Sequence, residues 1–199
     1  VSVPAAATTG RQRWAHRITD LLQPKNVLLA GLTAVGVAAT GSLAGAGWGL
    51  FAAVFAGVVP AAYIERERKR GTWGDRHVVD RAKRRPIFLV ILGSIAVAAA
   101  LMVLAGAPTD ILRSMIALWA MTVGLLAVND AGRWKISVDA AVASAVVTML
   151  TVVGSPWWAA AYAAVALVCW TRVVLAFHTT AQTLAGTAMG LATALLWLV

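Results

Sequence analysis

Charge is scarce in this chain. Only 13% of its 199 residues are charged, and just eight are acidic. A soluble domain carries about twice that share of charge, so a water-soluble globular fold is excluded. Cysteine is nearly absent as well. Cys169 stands alone in an apolar run, which rules out an internal disulfide and makes it a small packing residue. The opening stretch, "VSVPAAATTGRQRWAHRITD", lacks an apolar core of its own, so it does not read as a signal peptide. It reads as a disordered arm, residues 1–25, that runs into a short interfacial helix with Arg13, Trp14 and Arg17 at the headgroups.

What the chain has in abundance is apolar sequence, 60% of its residues. A helical span needs about 20 mostly apolar residues. Seven stretches qualify: 26–44, 47–64, 87–106, 109–128, 136–153, 157–177 and 181–199. The junction near 178 also reads as a break inside one bent element, which leaves six or seven spans. The expected fold is all-α, a polytopic membrane helix bundle over residues 26–199 with no second soluble domain. The connections at 45–46, 107–108 and 154–156 are short and hold Gly or Pro, so neighbouring helices form antiparallel hairpins. Small residues crowd every span and permit close helix contact.

Seven alternating spans gather sixteen of the 17 lysines and arginines on one face, with seven of the eight acids and all three histidines. Arg113 and Asp110 are the exceptions. The positive-inside rule places the charged face in the cytoplasm. The formal charge of +9 therefore reports topology and anionic lipid headgroups, and no nucleic-acid partner is expected.

Three segments meet on that face: the opening stretch, "GDRHVVDRAKRRP" and "NDAGRWKISVDAA". With the Thr171–Arg172 pair they offer Arg76, Arg81, Arg84, Arg85, Arg133, Lys135 and Arg172. Guanidinium groups grip phosphate oxygens bidentately, so the cluster suits a phosphate or diphosphate. For "ERERKR" the plainer reading, a basic loop that fixes orientation, suffices. Arg172 is different, because it follows seven residues of apolar helix and a charge at such depth needs a partner or a ligand. His178 comes six residues later, within two helical turns, so both side chains can face one cavity. A histidine beside a phosphate serves as nucleophile or acid–base catalyst; an interfacial histidine bonded to a carbonyl is the other reading.

The stretch "TRVVLAFHTTAQ" resembles the third motif, SRxxxxxHxxxD, of the type 2 phosphatidic acid phosphatase (PAP2) family, particularly its actinobacterial members. "KISVDA" holds the place of the second motif, PSGH, and "DRHVVDRAKRRP" is similar in position and composition to the first, KxxxxxxRP. The resemblance spans about residues 70–190. It implies a membrane phosphatase that works without a metal cofactor on isoprenoid or lipid (di)phosphates. By position, Arg84 or Arg85 and Arg172 would hold phosphate, Lys135 and Ser137 would flank it, and His178 would be the nucleophile. Asp139 stands where the family has its leaving-group histidine, and Gln182 where it has the aspartate that orients the nucleophile.

These substitutions open a second reading. Asp75, Asp80, Asp130 and Asp139 are oxygen ligands suited to Mg²⁺, which bridges diphosphates. A prenyl diphosphate held so would ionise at carbon, as in a terpene cyclase or prenyltransferase, with Trp119 and Trp170 offering ring faces to a carbocation. A third reading is a non-catalytic member that binds lipid headgroups.

Overall fold

The computed structural model describes residues 10–71 and 84–195. Arg76, Arg81, Asp75 and Asp80 lie outside the described residues, as does the start of the N-terminal arm. Every described element is helical.

Helix α1 (Gly10–Leu21) meets α2 (Pro24–Thr40) at a bend of 47°. Pro24 opens α2, where its missing N–H costs nothing. Gly41, at φ 64°, closes α2 in the left-handed conformation, and Ser42 caps the next helix by accepting from the Gly45 amide at 3.1 Å. The first hairpin turn therefore lies at Gly41–Ser42, a few residues before the expected 45–46. Helix α3 (Leu43–Lys69) carries a π-helical turn at Val54–Val58. Helices α4 (Arg84–Leu104) and α5 (Thr109–Asp130) form the second hairpin. Then come α6 (Val138–Val153), α7 (Pro156–Val174), which opens as a 3-10 turn, and α8 (Thr180–Leu195).

Each of the seven expected apolar stretches is mainly helical over its described residues, but fewer qualify as continuous spans. Among the described residues four helices (α3, α4, α5 and α7) are long and apolar enough to cross a membrane, and the α1–α2 pair makes a fifth if the bend is one broken span. Helix α6 has 16 residues, and Ala140 to Leu150 are all buried, so it is the central post of the bundle. It packs most extensively on α8 and α2. Gly186 and Gly190 of α8 let that helix approach the α6 backbone at Ser137 and Ala141. Helix α1 lies against α7: Ala15 and Thr19 are buried, and the Arg11 guanidinium sits 5.8 Å from the Trp170 ring centroid. Trp14 stays exposed, with Arg17 over its ring. The arm is thus docked onto the bundle from Gly10 onward.

Candidate functional site

A cavity of about 460 Å³ opens among the starts of α2, α4 and α6 and the ends of α3, α5 and α7. Arg84, Asp139, Arg172 and His178 form its polar head. Below them the walls are apolar: Leu28, Ile87, Phe88, Ile91, Ile95, Leu118, Met121, Leu125 and Val142. Gln23, Lys25 and Glu65 stand at its mouth. A volume of this size falls within the range of about 300–1,000 Å³ of small-molecule sites.

Two connections build the head, 131–137 and 175–179. Each contains a non-glycine residue in the left-handed region, Arg133 at φ 48° and Ala176 at φ 55°. Such residues persist where surrounding bonds hold them, and here the bonds run between the two connections. Lys135 Nζ donates to the Phe177 carbonyl at 3.1 Å, and His178 Nδ1 lies 3.3 Å from the Lys135 carbonyl oxygen. The His178 amide donates to the Arg172 carbonyl at 3.2 Å, which turns the chain back at the end of α7. Arg172 and His178 thus share the cavity through a reversal of the chain, where the sequence suggested one helical face.

A carbonyl only accepts, so the Lys135 contact requires the proton on Nδ1 and leaves Nε2 with its lone pair. His178 is buried, and its pKa is pushed down to about 4. Burial is the main cause, followed by the positive charges of Arg84 and Lys135; Asp139 and the Lys135 carbonyl work the other way. The imidazole is therefore neutral near pH 7. Burial, and then Arg84, also lower the Lys135 pKa, and Asp139 opposes them.

Arg172 is 2% exposed and pairs with Asp139, Nη2 to Oδ1, at 2.7 Å. Its Nε is buried with no acceptor among the described residues. The Phe177 ring centroid lies 5.9 Å from its guanidinium carbon. Arg84 is buried and reaches the Ile136 carbonyl at 3.3 Å.

Several residues named from the sequence stand elsewhere. Arg85 is exposed outside the cavity and pairs with Asp130 at 3.5 Å. Adjacent helical residues point about 100° apart, so only Arg84 faces inward. Ser137 caps α6, its Oγ accepting from the Ala140 amide at 3.3 Å, and it is fully buried. Gln182 closes a capping box on α8: its Oε1 accepts from the Thr179 amide at 3.0 Å, and Thr179 Oγ1 accepts from the Gln182 amide at 3.3 Å. The T-x-x-Q spacing of "TTAQ" carries that signal in the sequence. Trp119 is 43% exposed, Trp170 lies under Arg11, and neither lines the cavity. Among the described residues no three His, Cys, Asp or Glu side chains converge as metal ligands. Gln23, Lys25 and Glu65 were not foreseen, because the helix bend and the packing of α3 bring them to the mouth.

No protein-family model matches the chain, and neither does any curated protein or solved structure.

Proposed function

We propose that this protein is an integral-membrane enzyme that hydrolyses isoprenoid or lipid (di)phosphates through His178, on a scaffold resembling the type 2 phosphatidic acid phosphatases. One observation carries the reading. A single cavity joins a cationic head containing a neutral imidazole to a long apolar shaft. That combination fits an amphipathic ligand with an anionic head. The buried Arg172 Nε is a donor awaiting an acceptor, and an unmet buried donor is costly unless a ligand supplies one.

In the proposed step the His178 Nε2 lone pair attacks phosphorus while Arg84 and Arg172 hold the phosphate oxygens. The N–P bond forms as the P–O bond to the leaving group breaks, and water then cleaves the phosphohistidine to phosphate. Asp139 is engaged as the ion-pair partner of Arg172. A diphosphate suits such a head, since its leaving group is itself a phosphate and departs without protonation. The positive-inside distribution of lysine and arginine supports a head on the cytoplasmic side.

The ionising, Mg²⁺-dependent alternative draws less support. Asp130 and Asp139 are each committed to an arginine. Incubation of purified protein with farnesyl and geranylgeranyl diphosphate, with and without chelator, separates the two by product mass. Phosphate release that survives chelation is expected. A hydrocarbon or cyclised alcohol that disappears on chelation overturns the hydrolytic reading, and lipid binding without turnover moves the protein to the non-catalytic class.

A further inference from the structure

The cavity has a floor, and its position bears on which tail the ligand carries. Arg84 stands at the head and Ile95 at the deepest point on the same helix, eleven residues away, about 16 Å at 1.5 Å per residue. That reaches roughly the middle of a hydrocarbon core about 30 Å thick. Leu118 of α5 faces the same depth, and both residues are 2% exposed. One turn further on, Ala98 and Met115 are fully buried in the same core and no longer line the cavity. The shaft therefore ends in packed protein.

We infer that the site takes a single-tailed lipid phosphate, with Ile95 and Leu118 setting the longest tail that fits. The inference rests on the reading of the head as a phosphate site and adds the class of tail. At about 30 Å³ per water-sized group, 460 Å³ holds roughly fifteen such groups. That accommodates one phosphate head and one tail of about ten carbons. It leaves no room for the two acyl chains of a glycerolipid. Each methylene that enters the shaft strengthens binding roughly fourfold, so a tail that reaches the floor outbinds a shorter one strongly, and a longer one must leave carbons in water or force the packed floor apart, which weakens it.

Non-hydrolysable prenyl phosphonates from dimethylallyl to octaprenyl test this by ligand-induced thermal stabilisation of the whole protein in detergent, with the matching prenols as uncharged controls. Binding should be tightest at geranyl, and roughly tenfold or more weaker for octaprenyl and for a diacylglycerol phosphonate. Ile95→Ala deepens the shaft and should move the optimum to a longer tail. Leu118→Phe fills it and should move the optimum to a shorter one, which keeps the test decisive should Ile95→Ala fold poorly. An unchanged length profile in Leu118→Phe, or equal binding of the diacyl ligand, overturns the tail limit alone. Prenols and phosphonates that bind equally, with the same length optimum, keep the tail limit and overturn the phosphate head. Absence of binding by every probe overturns both.

Discussion

Arg172 and Asp139 meet in one short ion pair, 2.7 Å long, with the arginine almost wholly buried and the carboxylate at the cavity wall. Removing one partner of a buried pair leaves an uncompensated charge, which costs about 3–5 kcal/mol. Asp139→Ala should therefore lower stability by about that amount, read by thermal unfolding in detergent. The double variant Asp139→Leu with Arg172→Met should recover most of the loss and still be inactive, because the phosphate has lost its buried guanidinium.

His178→Ala should abolish phosphate release while leaving tail binding intact. Single-turnover assays with labelled diphosphate should trap label on wild-type protein and none on the variant. Label retained by His178→Ala would place the nucleophile elsewhere.

The His178 pKa of about 4 lies below the usual histidine value of 6.5. Protonation silences a nucleophile, so the acid limb of kcat/KM, which reports the free enzyme, should fall near pH 4. Stability shifts in the same direction. Between 6.5 and about 4 the unfolded chain takes up a proton that the folded chain refuses, so stability falls as pH drops through that window. An acid limb near 6.5 would contradict the buried, neutral imidazole.

Gln182→Ala removes half of a helix cap and should cost about 1 kcal/mol, with kcat reduced only modestly. Gln182 acts as a positioning residue for the 175–179 connection, so the pH profile should keep its shape. A shifted acid limb in this variant would show that Gln182 tunes the imidazole directly.

Gly186→Ala should be more damaging than its size suggests. The added methyl runs into the Ser137 carbonyl of α6, and overpacking of this kind costs about 1–3 kcal/mol. The shift also separates α8 from the 131–137 connection, so activity should fall along with stability. Gly93→Ala, at a position with open space around it, is the control expected to change neither.

Much of this was legible in the sequence. Apolar runs mark the helices, but the turn expected at 45–46 lies at Gly41–Ser42, and Ser137, expected beside phosphate, caps α6. Arg84, Asp139, Arg172 and His178 stood out as ionisable residues at helix ends, and they do line one cavity. The choice between Arg84 and Arg85 was not legible, because helix rotation is set by what α4 packs against. The number of spans is less legible: α6 reads as apolar as its neighbours, yet it is shorter and buried on nearly every side. Burial against other helices and burial in lipid look alike in composition. For Gln182 the limit is different, since a side chain three residues into a helix can serve the cap or the neighbour, and only geometry shows the cap bonds.

The oxygen that faces His178 belongs to the main chain of residue 135, and this has an evolutionary consequence. An orienting carboxylate can be lost by a single codon change, whereas a peptide carbonyl survives any substitution that keeps the turn. Selection can therefore see this acceptor only through residues that shape the turn, such as Arg133 and Ala176 with their left-handed backbones. What is inherited at this position is a fold of the connection, with no one amino acid to mark it.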